Sequence, residues 1–232
     1  VIVGIGQEPV GEHWDTSLRE LAGRALRSAM KDAGVLQPQA VYVGSMLAAS
    51  ASHQANLGAL VCEAAGLAGK AEGVTAEVAE ASSAAALNLA WQAVRSGMTD
   101  VAAVVGVEKV TDVVGAGQEL SLLGASLDAD YESSEGLTPT GQAALLLQRY
   151  PYENQFPREV LRGFAMIARN NAVNNPNAMF RRELSASAYN RAAPAAAPLN
   201  AFDIAAHADG SAALILTRTD LAPRDLAHKP IR

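Results

Sequence analysis

The segment from Val74 to Asp100 constrains the fold more than any other part of the sequence. Its first residues alternate between apolar and polar, which is typical of a short strand. The alanines Ala84–Ala86 follow, and Asn88, Gln92 and Arg95 then recur at helical spacing, so that they share one narrow stripe. We therefore expect a helix that is buried nearly all round, with alanines that allow its neighbours to approach closely.

The residues on either side of that helix predict a strand, a sharp turn and a helix in direct succession. Gly97 is expected to end the helix, and the apolar run from Val101 to Val107 is typical of a strand covered on both faces. The turn residues Glu80 and Ser83 would then lie at the N-terminus of the helix. Backbone N–H groups and the helix dipole favour negative charge there, so the turn is a candidate reaction site.

The residues before this segment also alternate between strand and helix patterns. Strands are expected at Val1–Gly6 and Ala40–Met46, and helices at Thr16–Ala33 and Ser52–Gly66. Ser17 opens a capping-box pattern at the start of the first helix. This alternation predicts an α/β fold with a mostly parallel sheet and crossover helices.

The sequence after the central strand is less regular and predicts an inserted loop domain. Helices are expected at Thr138–Arg149 and from Pro157 onward, and an alanine- and proline-rich loop at Ala186–Pro198. A turn at Asp209 then leads into an apolar strand. We therefore predict three segments: a core at 1–109, the inserted loop domain at 110–201, and a return strand with a tail at 202–232.

The composition argues against several classes of function. The chain has 18 lysines and arginines against 24 aspartates and glutamates, a net charge of −6, which disfavours nucleic-acid binding. No apolar run reaches the roughly 18 residues that a membrane span needs. The one cysteine, Cys62, allows no internal disulfide, so we expect a cytoplasmic protein with a structural thiol. The histidines lack metal-ligand spacing, and we expect no metal site.

Three motifs resemble the amino-terminal half of thiolases, in particular the sterol-carrier-type and archaeal acetyl-CoA acetyltransferases. The segment Gly106–Asp112 reads GVEKVTD and is similar to the one that closes the strand after the alanine-rich helix of thiolases. Asp209–Gly210 resembles the motif that introduces the thiolase edge strand. Arg169–Phe180 resembles another thiolase segment, with Asn175, Pro176 and Phe180 in place. The resemblance covers essentially the whole chain and ends where the carboxy-terminal half of a thiolase would begin.

The resemblance implies a reaction on CoA thioesters, and two departures from the family pattern bear on that reaction. Thiolases attack the acyl group with a cysteine thiolate, and in this sequence the position of that cysteine is Glu80. The family glycine three residues later is Ser83, and the position of a family histidine is Arg169. By resemblance, Glu80 would lie at the closed end of a narrow pocket, at the start of the buried helix.

Three interpretations of Glu80 stay open. The residue is a plain first-turn acid in a non-catalytic thiolase-like subunit. Alternatively, it is a general base or an electrostatic group in another acyl-CoA reaction, such as aldol cleavage or decarboxylation. In the third interpretation the chain is an ordinary acyltransferase whose cysteine was altered. Ser82 and Ser83 are weaker nucleophile candidates, because the G-x-S-x-G elbow is absent.

The resemblance also implies a ligand and partners. A CoA thioester is the expected substrate, with no covalently bound cofactor, and Arg169, Arg181 and Arg182 are candidate contacts for the CoA phosphates. The alternative for these arginines is a solvated basic patch. We expect a dimer or another homo- or hetero-oligomer with a thiolase-like chain, such as a separate carboxy-terminal half or a small accessory protein.

The function that follows is thiolase-like chemistry in acyl-CoA and lipid metabolism, either acyl transfer or the formation or cleavage of a C–C bond, in a protein degenerate at its nucleophile. One alternative is a non-catalytic thiolase-like subunit that supports a catalytic partner. The other is an acyl-CoA lyase or an aldolase-type enzyme.

Overall fold

The computed structural model describes residues 1–34, 36–157, 160 and 162–231. The chain forms two compact units, Val1–Val113 with Ala208–Arg232, and Val114–His207. The elements of the first unit are β1 (Ile2–Gln7), α1 (Leu18–Asp32), β2 (Ala40–Gly44), α2 (Ala48–Ala51), α3 (Leu57–Ala64), β3 (Glu72–Ala76), α4 (Ser82–Ser96), β4 (Val101–Glu108) and β7 (Gly210–Thr217). The elements of the second unit are α5 (Ala116–Leu123), α6 (Pro139–Asn154), α7 (Arg162–Ala172), α8 (Ala186–Asn190), β5 (Pro194–Ala196) and β6 (Leu199–Asn200).

The first unit is built on a five-stranded sheet with the strand order β1-β7-β4-β2-β3. β2 pairs in parallel with β3 and β4, whereas β7 pairs antiparallel with β1 and β4. Four strands therefore run in one direction, which confirms the α/β class and the mostly parallel sheet. The expectation of an edge strand is wrong, because β7 lies inside the sheet. Its side chains are buried on both faces, with Ile215 in one core cluster and Leu216 in the other.

One face of the sheet packs against α1 and α3. The predicted cap of α1 is present, because Ser17 Oγ accepts a hydrogen bond from Glu20 N at 3.4 Å. Leu21 of α1, Val41 of β2 and Cys62 of α3 belong to the same buried cluster. Burial of apolar surface contributes roughly 25 cal/mol per Å², so this cluster is a main source of stability for the unit.

The other face of the sheet packs against α4. Ala86 and Ala90 lie in a buried cluster with Tyr42 of β2, and Gly97 ends the helix in the left-handed region with φ 77°. The outer face of α4 is open in this chain, where Trp91 is 48% exposed. The expectation that this helix is buried all round is therefore wrong for the chain by itself. Its apolar inner face faces the sheet, while the described residues leave its outer face uncovered.

In the second unit, α6 begins as predicted. Thr138 Oγ1 accepts a hydrogen bond from Gly141 N at 3.0 Å, and the helix then continues through Pro151 beyond its predicted end. The helix predicted from Pro157 corresponds to α7, which begins at Arg162; residues 158, 159 and 161 lie outside the described residues.

The loop predicted at Ala186–Pro198 is wrong in part, because it contains the short helix α8 and the strand β5. Ser185 begins α8 by accepting a hydrogen bond from Ala188 N at 3.1 Å. β5 then pairs antiparallel with β6 in a hairpin. Among the described residues, no helix combines the length and the apolar character of a membrane span.

Candidate functional site

The turn between β3 and α4 is held by its own side chains. Ser82 Oγ accepts a hydrogen bond from Val78 N at 2.9 Å and donates one to Ala79 O at 2.6 Å. Glu77 Oε1 accepts a further bond from Ala79 N at 2.5 Å. Ala79 has φ 45°, a left-handed conformation that costs a non-glycine residue roughly 1–2 kcal/mol. The hydrogen bonds around Ala79 offset this cost and fix the path of the chain into α4.

Two glycines of the sheet make room for the first turn of α4. Gly44 of β2 and Gly106 of β4 are register partners in the sheet. A Cβ atom on Gly44 would lie 2.5 Å from Ser83 N, and one on Gly106 would lie 2.4 Å from Ser83 Oγ. Glycine at both positions lets the N-terminus of α4 approach the carboxyl ends of the parallel strands.

Glu80 lies on this turn and is exposed. It precedes Ala81, the N-cap residue of α4, and so stands just outside the helix rather than in its first turn. The expectation that Glu80 lies at the closed end of a narrow pocket is wrong for this chain, because the described residues leave the carboxylate open to solvent. A carboxylate at the N-terminal end of a helix lies in a favourable field, and it can accept a proton. Its role as the reacting group stays a prediction.

The two serines of the turn differ in their surroundings. Ser82 is buried, and both hydrogen bonds of its hydroxyl group are made within the turn. Ser82 is therefore a structural residue and a poor nucleophile. Ser83 is exposed beside Gly106, with no base to activate it among the hydrogen bonds of the described residues.

Glu108, at the end of β4, is a half-buried carboxylate that the sequence did not single out. It accepts hydrogen bonds from Ser45 Oγ at 3.0 Å, from Leu47 N at 3.2 Å and from Met46 N. Burial raises the pKa of Glu108, and the three donors partly oppose this rise. The residue fixes the loop after β2 at the same edge of the sheet as the turn. In the sequence, Glu108 could have been noticed as a charged residue at the end of an apolar strand.

A second buried network joins the two motifs GVEKVTD and Asp-Gly. Lys109 Nζ contacts Asp209 Oδ2 at 3.1 Å and Asp112 Oδ1 at 3.0 Å, and Thr111 Oγ1 donates to Asp209 Oδ2 at 2.7 Å. We call Lys109, Thr111, Asp112 and Asp209 the clasp. Lys109 is 4% exposed and Asp209 is fully buried. The resemblance identified both motifs, but the contact between them is visible only in the structure.

The hydrogen bonds of the clasp control the charge of Asp209. Burial raises the pKa of this carboxyl, but donors from Thr111, His13 and Val110 outweigh burial and hold the pKa at about 2. Asp209 is therefore ionised at neutral pH, opposite the ammonium group of Lys109. Among the described residues, no group of three or more histidine, cysteine or carboxylate side chains is arranged to hold a metal ion.

The three arginines predicted to contact CoA lie in the second unit and have different surroundings. The guanidinium of Arg169 lies 4.8 Å from the ring centroid of Phe180 and 5.6 Å from that of Phe202. These cation–π contacts give Arg169 a structural role that the sequence did not indicate. Arg181 and Arg182 are exposed. Whether any of the three contacts a phosphate stays a prediction.

Comparison with known proteins places the chain among the thiolases. Residues 1–193 match the model of the thiolase N-terminal domain. The chain is 33% identical over 232 residues to an acetyl-CoA acetyltransferase of Methanothermobacter thermautotrophicus, covering 99% of this chain and 59% of that protein. It is 34% identical over 223 residues to an acetyl-CoA acetyltransferase of Methanocaldococcus jannaschii, covering 95% and 56%.

A third relative is the benzoylsuccinyl-CoA thiolase subunit BbsB of Thauera aromatica, which is 28% identical over 234 residues, covering 100% of this chain and 58% of that protein. The chain thus spans less than two thirds of the length of these curated relatives.

Solved structures share the fold. One described as the Ltp2-ChsH2(DUF35) aldolase superposes with a TM-score of 0.77 at 24% identity, covering 99% of this chain and 58% of the other. An acetyl-CoA acetyltransferase of Syntrophomonas wolfei superposes with a TM-score of 0.77 at 19% identity, covering 99% and 66%. From the family match, the sequence relatives and the sheet with its turn and central helix, we conclude that this chain belongs to the thiolase superfamily.

Proposed function

We propose that this chain is a thiolase-like subunit of an assembly that acts on CoA thioesters, and that it does not itself carry the acyl group. The observation that supports this proposal is the turn between β3 and α4. The turn is fixed at the N-terminus of α4, and Glu80, the expected position of the family nucleophile, is an exposed carboxylate on it. Membership of the thiolase superfamily supports acyl-CoA metabolism as the setting that we propose for the reaction, and lipid metabolism is the finer part of that proposal.

A carboxylate in this position has the electrostatics of a thiolase nucleophile without its reactivity. Attack of a carboxylate on an acyl-CoA would give a mixed anhydride, a high-energy species that is unsuited to hold the acyl group. The one cysteine does not replace the missing thiolate. Cys62 is buried on α3, and burial raises the pKa of its thiol, so little thiolate exists near neutral pH.

Incubation with acetyl-CoA followed by peptide mass mapping tests this proposal. We expect no acyl adduct on the unmodified chain, with or without its partners. In Glu80→Cys we expect an adduct at position 80, because a helix N-terminus lowers the pKa of a thiol. Glu77→Cys is the matched control: it puts an exposed thiol in the same turn but three residues further from the helix, and we expect it to react more slowly.

Two results would contradict the proposal. An acyl group on Cys62 of the unmodified chain would assign the nucleophile to α3. An unreactive thiol at position 80 would remove the argument that the turn is a degenerate thiolase nucleophile elbow.

A second candidate is aldol-type cleavage of a β-hydroxyacyl-CoA with Glu80 as general base. Its exposed carboxylate favours this reaction, and the fold is similar to that of an aldolase. The base removes the hydroxyl proton, the carbonyl group forms, and the Cα–Cβ bond breaks. The electron pair of that bond passes to the α-carbon as a thioester enolate, which then takes up a proton.

Release of an aldehyde or a ketone from a β-hydroxyacyl-CoA measures this reaction. Glu80→Gln should abolish the release, whereas Glu77→Gln should leave it intact, because Glu77 is engaged with Ala79 N within the turn. Equal activity in the two variants would reject Glu80 as the base.

We also propose that the subunit works in an oligomer with a thiolase-like chain. The uncovered outer face of α4, where Trp91 is 48% exposed, supports this proposal. One relative is named a subunit, and one similar structure is named with a second component. Native mass spectrometry would test the proposal; a sharply melting monomer of this chain alone would contradict it.

The arginines of the second unit are the proposed contacts for CoA phosphates. Arg181 and Arg182 are exposed, and guanidinium groups bind phosphate with two parallel hydrogen bonds. Calorimetric titration with CoA before and after Arg181→Gln and Arg182→Gln tests this role. For Arg169, whose guanidinium stacks on Phe180, the variant Arg169→Lys keeps the charge and weakens the stacking. Unchanged CoA binding in all three variants would reject the assignment.

A further inference from the structure

The second unit contains a cleft of about 420 Å³ that has no part in the proposed function. Pro194 and Pro198, in and beside the β5–β6 hairpin, contribute to an apolar wall, and Arg162, Tyr189 and Asn190 contribute polar groups. A volume of this size, with an apolar wall and a few polar groups, is typical of sites for small organic molecules.

Arg162 sets the charge of the cleft. It is half-buried, and among the described residues its guanidinium makes no ion pair and no hydrogen bond. No carboxylate is among the described residues that line the cleft. Arg162 also lies at the N-terminal end of α7, where the helix dipole favours an anion over a cation. A partly buried cation that has no counter-ion among the described residues carries a desolvation cost that a bound anion would offset.

Two other residues that line the cleft, Tyr189 and Asn200, are held by a network of hydrogen bonds. Tyr189 OH donates to Asp203 Oδ1 at 2.8 Å, and Asn200 N donates to Asp203 Oδ2 at 2.8 Å. Asn200 Nδ2 donates in turn to Tyr189 O at 3.2 Å. The Asp203 carboxylate is therefore occupied by these residues and does not line the cleft.

Tyr189 is neutral at physiological pH. Burial and the hydrogen bond to Asp203 raise its pKa to about 12, and the nearby charge of Arg162 only partly opposes this rise. Tyr189 thus presents an uncharged aromatic ring with its hydroxyl group turned to Asp203. Arg162 is left as the charged residue among the described residues that line the cleft.

We propose that this cleft binds a small organic anion, whose carboxylate or phosphate group pairs with the guanidinium of Arg162 while its apolar body packs against the proline wall. The planar fork of a guanidinium matches both kinds of oxyanion. The charge of Arg162 disfavours a cationic ligand. An inorganic anion would pair with Arg162 but would make no apolar contact with the proline wall. The site lies within the second unit and does not depend on the chemistry proposed for Glu80.

Titration calorimetry of the 232-residue chain at low ionic strength tests the proposal with four probes. Phenyl phosphate and benzoate supply an oxyanion with an apolar body, inorganic phosphate lacks the body, and benzyl alcohol lacks the charge. We expect at least one of the first two to bind at least about tenfold more tightly than inorganic phosphate and benzyl alcohol. The stronger of phenyl phosphate and benzoate identifies the oxyanion that the cleft accepts.

Variants of two arginines locate the site. Arg162→Gln should weaken binding of the better probe by at least about tenfold, the effect of losing one charge-assisted hydrogen bond. Arg191→Gln is the matched control, because Arg191 is exposed, ends α8 and does not line the cleft; it should bind as the unmodified chain does. Arg162→Lys keeps the positive charge but lacks the planar guanidinium, so it should bind the better probe with intermediate affinity. If Arg162→Gln fails to fold, this variant tests whether Arg162 binds the anion.

Three results would overturn the proposal: no binding of either organic anion, equal affinity in Arg162→Gln and the unmodified chain, or inorganic phosphate or benzyl alcohol binding as tightly as the better organic anion.

Discussion

Replacing Asp209 with asparagine removes one charge from the clasp and keeps the shape of the side chain. In the native chain the carboxylate is fully buried, pairs with Lys109 at 3.1 Å and accepts hydrogen bonds from Thr111 and from Val110 N at 2.8 Å. Hydrogen bonds from Thr111, His13 and Val110 outweigh burial and hold the pKa of Asp209 at about 2, against an ordinary value of 3.8. At about 1.4 kcal/mol per pKa unit, that difference corresponds to about 2.5 kcal/mol of free energy of unfolding.

The substitution also leaves the buried Lys109 with one anionic partner instead of two. Breaking a buried ion pair costs about 3–5 kcal/mol, and Lys109 still contacts Asp112 at 3.0 Å. We therefore expect Asp209→Asn to lower the free energy of unfolding at pH 7 by about 3 kcal/mol. Asp112→Asn is the matched control: its carboxylate contacts the same lysine but is 51% exposed, so its loss should cost less than about 1 kcal/mol.

The pH dependence gives a second, independent check. Because the pKa of Asp209 is lower in the folded chain than in the unfolded chain, its contribution is complete above pH 5 and is lost as the pH falls through 3.8 toward 2. The difference in stability between the native chain and Asp209→Asn should narrow by about 1 kcal/mol between pH 7 and pH 3.

Urea unfolding followed by circular dichroism at pH 7, 5 and 3 measures both effects. A loss below about 1 kcal/mol at pH 7, or a difference that stays constant down to pH 3, would refute the argument that a buried, ionised Asp209 stabilises the clasp.

Two further predictions concern packing and the thiol. Gly106→Ala should lower the free energy of unfolding in urea by about 1–3 kcal/mol, because the added methyl group would lie 2.4 Å from Ser83 Oγ. The loss should fall by at least half when the same substitution is made in a Ser83→Gly background. Equal losses in the two backgrounds would contradict the steric explanation. Cys62 is buried, and burial raises the pKa of its thiol, so an aromatic disulfide reagent should modify it only as fast as the chain opens; rapid modification of the native chain would contradict its burial.

The sequence predicted the elements whose signals are local. The cap at Ser17 and the glycine at Gly97 marked the ends of helices, and both residues act as predicted. The apolar run of β4 predicted a buried strand, and the residues from Ala102 to Val105 are buried. These signals lie within one or two turns of the chain, so no tertiary information was needed to find them.

The parts that the sequence did not predict depend on contacts between distant residues. Glu108 meets the loop at Met46, 62 positions earlier, and Asp209 meets Lys109 across 100 positions. The stacking of the Arg169 guanidinium on Phe180 and on a second aromatic ring was not predicted, and its contact with a phosphate stays a prediction. The charge of a residue does not predict which partner its side chain contacts, because that partner is determined by the fold.

The prediction that the candidate site is buried is wrong for this chain, for a related reason. The alanine-rich pattern of α4 was correctly assigned to a helix that packs closely, yet one face of that helix is open and Glu80 is exposed. The periodicity of a helix predicts which of its side chains are buried. It does not predict whether the residues that bury them belong to the same chain.

The central position of β7 has a consequence for the synthesis of the protein. β1 leaves the ribosome well before its partner β7, which begins only at Gly210, roughly 200 residues later. At a translation rate of about 5–20 residues per second, roughly 10–40 s pass between the synthesis of β1, with its apolar residue Val3, and that of β7, the strand that separates β1 from β4. β2, β3 and β4 are complete by Glu108, so during the rest of this interval β1 is the strand without its partner, and a chaperone or another chain can bind it.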